Sequence, residues 1–229
     1  MFATDARIRR AAAGALVGLA ASALLAACGG NSGAKVSAAS LDSRLLPPSF
    51  IPGYQRQRTF DWSDPVNLVG EGFRLPEATH PSTAVKAVEK AGLSGAAGER
   101  LTQGGSFNQA EGTIGVIKLG SVGGATRLRD FLHRQDLQQP CFTACIYSPR
   151  NLPVAGVPTA AGVEQVPHAP PLPRGARVAP GQGPPVNYLI EFTVGPYVYF
   201  GSVPGSLSDA RNVVATTKRY YERVRKLGA

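Results

Sequence analysis

The sequence predicts an α+β domain with an antiparallel sheet and helices packed on one face of it. The clearest hairpin is formed by residues 187–194 and 197–203, whose apolar residues alternate on either side of a Gly-Pro turn. An apolar stripe at helical spacing follows in residues 206–227. The same order of strand and then helix occurs earlier, in residues 113–121 and 125–135. This recurrence leaves open a division into two ββα-like halves.

Weaker signals complete a single domain predicted over residues 41–229. They indicate a helical turn over 41–46, strands over 55–60 and 99–107, and a helix over 82–91. The Pro-rich segment 148–185 is predicted to be irregular. It has room for short strands at 162–166 and 176–178. These are predicted to be edge strands, because the flanking prolines cannot donate to a strand ladder.

The first 27 residues have the pattern of a secretory signal. Three arginines, Arg7, Arg9 and Arg10, precede an apolar run over residues 11–25 that is short for a membrane span. Residues 28–40 are small and polar, which predicts a flexible tether. Twelve such residues have a root-mean-square reach of roughly 20 Å.

The signal closes on Leu25-Ala26-Ala27-Cys28. This tetrapeptide resembles the lipobox of bacterial lipoproteins, and the resemblance implies a diacylglyceryl group on the Cys28 sulfur and cleavage just before it. The implied location is the extracytoplasmic face of the cell membrane. The Leu-Leu-Pro at 45–47 and Pro-Gly-Tyr at 52–54 resemble uncharacterised lipoproteins of high-GC Gram-positive bacteria. That likeness implies no catalytic residues.

Two further cysteines, Cys141 and Cys145, remain once Cys28 is assigned to lipid. An exported chain meets an oxidising compartment, so the pair is predicted to form a local disulfide. Its four-residue spacing would stabilise the fold by about 2 kcal/mol in the chain-entropy view. A redox-active pair is the alternative, although the spacing is not Cys-x-x-Cys.

The formal net charge is +9. For an exported protein this favours anionic lipid headgroups or cell-wall polymers as partners over nucleic acid. Cations concentrate near the end of the last predicted helix, at Lys218, Arg219, Arg223, Arg225 and Lys226. They complement the helix dipole and form a solvated face, and they are also candidates for contact with an anionic surface.

Motifs for catalysis are missing from the sequence. It contains no Gly-x-Ser-x-Gly elbow, phosphate loop or dinucleotide fingerprint. The three histidines, His80, His133 and His168, stand apart from one another and from acidic pairs, so no metal site is predicted. We therefore expect a non-enzymatic domain without a cofactor.

The sequence thus predicts a membrane-anchored binding or accessory domain at the cell envelope. One alternative is a carrier of lipid or another apolar ligand, with a pocket under the last helix lined from Tyr188, Tyr197, Tyr199, Tyr220 and Tyr221. Another is an envelope glycan hydrolase, because carboxylates near an aromatic side chain suit sugar chemistry. The acids concerned lie around Trp62 and are Asp61, Asp64, Glu71 and Glu77.

Overall fold

A seven-stranded antiparallel sheet organises the computed structural model, which describes residues 35–51, 53–73, 80–103, 111–138, 147–167, 186–205 and 209–228. In chain order the strands are β1 (Tyr54–Asp61), β2 (Leu93–Gln103), β3 (Glu111–Leu119), β4 (Tyr147–Asn151), β5 (Ala161–Pro167), β6 (Val186–Val194) and β7 (Tyr197–Gly205). Across the sheet the order is β1-β2-β3-β7-β6-β5-β4. All neighbouring pairs are antiparallel, so the predicted α+β class is confirmed.

Three long helices and two short ones accompany the sheet in the described part of the chain. The long helices are α3 (Pro81–Ala91), α4 (Val122–Leu137) and α5 (Ala210–Lys226), and the short ones are α1 (Ala38–Leu41) and α2 (Pro65–Asn67). Two 3₁₀ turns, Asp42–Arg44 and Pro48–Phe50, follow α1, and a π-helical turn, Leu68–Gly72, continues α2. None of the described helices has the length and apolar composition that a membrane crossing requires.

The ends of the long helices follow local chemistry. Pro81 opens α3, where its missing N–H leaves no unpaired donor, and Gly92 ends it at φ 83°. Ser121 caps α4 by accepting a hydrogen bond from the Gly124 N–H at 3.0 Å. Gly195 turns the β6–β7 hairpin at φ 57°. Because these signals are local, the sequence predicted the bounds of α3, α4 and the β6–β7 hairpin to within a few residues.

The helices cover both faces of the sheet rather than the single face predicted. On β3, Val116 packs with α5, whereas its neighbour Ile117 packs with α3 and α4. We call the two sides the α5 face and the α4 face. Both are apolar because the central strands alternate large apolar residues on each side, and a sheet buried on both faces needs two helical layers.

The internal repeat is therefore one of chain order only. The β2–β3 and β6–β7 hairpins meet at the central β3–β7 pair, but α4 and α5 lie on opposite faces. If the two halves were related by symmetry, the two-fold axis would run between the antiparallel strands β3 and β7, perpendicular to the sheet. Such an axis would place α4 and α5 on the same face. The matching tripeptides also differ in place, because Gly120-Ser121-Val122 follows β3 whereas Gly201-Ser202-Val203 lies inside β7.

The folded chain begins before residue 40, which corrects the predicted extent of the tether. The Val36 N–H donates to the Ser94 carbonyl at 2.8 Å, and the Ser37 side chain caps α1. Leu41 and Leu45 are then buried on the α5 face. Residues 36–40 look like a linker in sequence because their stabilising partners lie more than fifty positions away.

The Pro-rich segment also contains more regular structure than predicted. Strand β5 covers the expected 162–166, but it is not the predicted edge strand, because β6 pairs with one side of it and β4 with the other. Pro149 lies in β4, in register with Gln165. An edge position tolerates it, since an edge strand needs donors on one side only. The predicted strand at 176–178 lies outside the described residues.

Candidate functional site

An apolar cavity of about 740 Å³ lies between α5 and the sheet. This volume is within the range of roughly 300–1,000 Å³ that small-molecule sites occupy. Three parts of the chain line it: the α5 face of the sheet, the inner side of α5, and the N-terminal segment 46–54. The cavity is therefore enclosed by the N-terminal segment and α5, which meet over the sheet.

The floor of the cavity comes from alternate residues of β6, namely Tyr188, Ile190 and Phe192. Gly201 on β7 lies in register with Ile190 and contributes no side chain. A Cβ placed there would be 3.5 Å from its nearest neighbour, Ile114 Cγ2. An added Cβ would therefore make only ordinary van der Waals contact, and Gly201 itself lines the cavity.

The walls are formed by α5 and by the turn before β1. Val213, Thr216 and Tyr220 line the cavity from α5, at helical spacing. Phe50 and Ile51 line it from the N-terminal segment. The Thr216 hydroxyl reaches across to the Phe50 carbonyl at 3.4 Å, and this contact links the two walls.

Tyrosine hydroxyls supply part of the polar lining. The Tyr54 hydroxyl donates to the Pro204 carbonyl at 2.6 Å. Burial, with Asp209 nearby, raises the pKa of Tyr54, and burial raises the pKa of Tyr188 to about 12. Both side chains are therefore neutral at ordinary pH and suit an uncharged part of a ligand.

A cation marks one end of the cavity. Arg219 lines it, is exposed, and places its guanidinium carbon 5.1 Å from the centre of the Phe50 ring. Its Nη2 donates to the Thr216 hydroxyl at 3.3 Å. Asp209, at the start of α5, is the other charged side chain of the described lining. The cavity thus has an apolar body and charged groups of opposite sign near its ends.

A second polar feature is a buried carboxyl pair on the α4 face. Asp136 of α4 and Glu191 of β6 are both at least nine-tenths buried and lie beside a void of about 30 Å³. Desolvation raises the pKa of Asp136 to about 6, and desolvation together with Asp136 raises the pKa of Glu191 well above its ordinary value. Glu191 Oε2 and the Ser202 hydroxyl have no hydrogen-bond partner among the described residues.

The acids predicted as candidate sugar-chemistry groups serve the local fold. Asp64 Oδ1 accepts the N–H groups of Val66 and Asn67 and so caps α2. Asp61 accepts the Ser63 N–H, and Glu71 accepts the Trp62 indole N–H at 3.4 Å. None of these three acids lines the cavity, and Glu77 lies outside the described residues.

The five predicted surface cations have different environments. Arg223 is half-buried and donates to the carbonyls of Leu45 and Ser43 at 3.0 and 2.8 Å, so it ties α5 to the N-terminal segment. Arg219 lines the cavity. The other three are exposed: Lys218 near Glu222 at 4.0 Å, Arg225 beside the Tyr221 ring, and Lys226.

Of the five predicted pocket tyrosines, two line the cavity, Tyr188 and Tyr220. Tyr197, Tyr199 and Tyr221 belong to the neighbouring apolar cluster, in which Tyr199 stacks on Phe192 with ring centres 4.9 Å apart. Gly201, Phe50 and Arg219 were missed as lining residues. The signal that could have found Gly201 is a glycine on the apolar side of an otherwise bulky strand.

Cys28, Cys141, Cys145 and His168 lie outside the described residues. His80 is at the N-terminus of α3, where its Nδ1 accepts the Ser82 N–H at 3.3 Å. His133 is half-buried on α4, and desolvation lowers its pKa. The described residues contain no cluster of three or more His, Cys, Asp or Glu side chains that could hold a metal ion.

The sheet, its two helical layers and the cavity define an α+β domain with an apolar cavity beneath its C-terminal helix. Neither the protein-family models nor the curated proteins include a match to this chain. Among solved structures, the crystal structure of the extracellular domain of PknH from Mycobacterium tuberculosis is similar, with a TM-score of 0.51 and 13% sequence identity. The alignment covers 82% of this chain and 98% of that one, so the similarity is one of fold.

Proposed function

We propose that this protein is a membrane-anchored, extracytoplasmic, non-enzymatic domain that binds an apolar ligand in the cavity under α5. The proposal joins the binding domain and the apolar-ligand carrier that the sequence left as alternatives. The single observation that carries it is the cavity of about 740 Å³, which is lined mainly by apolar and aromatic side chains.

Burial energetics support a ligand in this space. A preformed apolar cavity exposes hydrophobic surface that a ligand can cover, and each buried methylene contributes roughly 0.8 kcal/mol. The neutral tyrosines add hydrogen-bonding groups without charge. Such a mainly apolar lining with a few polar groups is typical of small-molecule sites.

The proposed location has two kinds of support. The N-terminal segment has the arginines, apolar run and Cys28 of a lipoprotein signal. The fold is shared with a domain described as extracellular. The exposed cations of α5, Lys218, Arg225 and Lys226, would favour an orientation with this helix toward anionic lipid.

Binding of the apolar dye N-phenyl-1-naphthylamine to the full-length protein tests the cavity. The Cys28→Ala form is used as the parent so that no attached acyl chain competes. We expect dye fluorescence to rise on binding, and Gly201→Leu to remove that rise. An added Cβ makes only ordinary van der Waals contact at this position, and the rest of the leucine would occupy cavity volume.

Gly70→Leu is the matched control, since Gly70 is exposed and nothing lies within 4 Å of an added Cβ. It should bind dye as the parent does. A Val203→Trp variant provides a second blocked cavity from the same strand. Equal dye binding by the parent and both blocked variants, with unchanged circular dichroism, would show that the cavity is not the site.

A further inference from the structure

We propose that the cavity ligand is a single-chain amphiphile with an anionic head group, bound with its head at Arg219 and its chain along α5. This inference deepens the proposed function and rests on it. It assigns Arg219 as the residue that selects the head group, and the apolar floor as the site of the chain.

The positions of the charged residues along α5 indicate how the ligand is oriented in the cavity. Asp209 and Arg219 are ten residues apart, which corresponds to about 15 Å along a helix. Among the described lining residues, Asp209 is the acid and Arg219 is the cation. An anion is therefore favoured at the opposite end, where Arg219 is located.

The guanidinium of Arg219 is held in place for such a contact. It lies over the Phe50 ring, at 5.1 Å, and one of its five N–H groups is used by the Thr216 hydroxyl. The planar fork of an arginine matches a carboxylate or phosphate through paired hydrogen bonds. Since Arg219 is exposed, the head group would remain at the cavity mouth in contact with water.

The rest of the cavity fits a chain rather than a polar molecule. Between the two charged side chains, the lining from the sheet includes Ile114, Ile190, Phe192 and Val203, and Gly201 adds no side chain to it. A volume of about 740 Å³ is of the size that one small molecule fills.

Displacement of N-phenyl-1-naphthylamine by three ligands of equal chain length tests the inference: decanoate, 1-decanol and decylamine. In the full-length Cys28→Ala protein we expect decanoate to displace the dye at about two- to fivefold lower concentration than 1-decanol or decylamine, the upper range of an exposed ion pair. Arg219→Gln should remove this advantage and leave 1-decanol unchanged.

Lys218→Gln is the matched control, because it removes the same charge from the adjacent, exposed position outside the cavity lining. It should leave the preference for decanoate intact. If 1-decanol or decylamine equals decanoate in the parent, or both variants weaken decanoate equally, the head-group assignment is wrong while the apolar site stands. If the dye does not bind at all, the proposed function itself is wrong.

Discussion

Asp136 and Glu191 place two carboxyl groups together behind α4, where both pKa values are raised by burial. In an unfolded chain these acids lose their protons near pH 4. In the folded protein burial raises the pKa of Asp136 to about 6, and burial together with Asp136 raises the pKa of Glu191 well above its ordinary value. The folded state thus binds more protons in this window. Its free energy of unfolding should therefore decrease as pH rises through it.

Asp136→Asn should reduce this pH dependence, because an amide can donate to Glu191 and has no proton to lose. We expect the decrease in unfolding free energy between pH 5 and pH 8 to shrink by about 1–3 kcal/mol in the variant. Urea unfolding at the two pH values measures it. Glu89→Gln, at an exposed acid, should match the wild type, and an unchanged slope in Asp136→Asn would contradict the prediction.

At the scale of elements, a row of glycines lets aromatic rings lie flat on the α4 face. Gly98 of β2 and Gly115 of β3 are in register, and Gly115 is paired in turn with Phe200. The Trp62 ring lies over Gly98 and the Phe200 ring over Gly115. Trp62 is fully buried there, and together with the buried Leu68, Val69 and Phe73 it anchors the turn-rich segment after β1.

Gly98→Ala should destabilise the fold, since its Cβ would lie 1.7 Å from the ring of the fully buried Trp62, so the ring or the strand must shift. Overpacking of this kind costs about 1–3 kcal/mol or more in unfolding free energy. Gly70→Ala nearby has open space and should change stability by less than about 1 kcal/mol, in the stabilising direction. Chemical unfolding measures the stability of both variants. Equal unfolding free energies for Gly98→Ala and Gly70→Ala would contradict the proposed packing of Trp62 on Gly98.

At the scale of the whole molecule, contacts between the N-terminal segment and α5 stabilise the described domain. The Tyr220 hydroxyl donates to the Arg44 carbonyl at 2.6 Å, and Arg44 in turn donates to the Gly228 carbonyl at 2.9 Å and the Tyr199 hydroxyl at 3.1 Å. The Arg44 guanidinium also lies 3.9 Å from the Tyr197 ring centre. These links hold the N-terminal segment beside α5, and so they define the cavity wall.

Membrane attachment is a prediction at the scale of the whole molecule. If Cys28 carries acyl chains, the full-length protein should partition into the membrane fraction, because two chains give stable anchoring. Cys28→Ala should move most of it to the soluble fraction, whereas Cys141→Ala should not. Mass spectrometry of the mature N-terminus identifies the modification. Unaltered partitioning of the Cys28→Ala form, with that sulfur unmodified in the wild type, would refute the anchor.

Much of the secondary structure was predictable because its signals are local. The β6–β7 hairpin, α3, α4 and α5 follow from alternation, helical spacing and end residues such as Pro81 and Gly92. The location of Tyr188 and Tyr220 in a pocket under the last helix was also within reach of sequence. The role of Gly201 was missed, although a glycine on the apolar side of an otherwise bulky strand is a signal for it.

By itself, the sequence determined the α+β class, the helices α3, α4 and α5, and the alternating faces of the β6–β7 hairpin, since each depends on neighbours within one or two turns of chain. The tertiary structure alone decided that helices cover both faces, that Arg223 binds the N-terminal carbonyls, and that Asp136 meets Glu191. It also decided the cavity. These features arise from residues far apart in the chain, and packing rather than local periodicity brings them together.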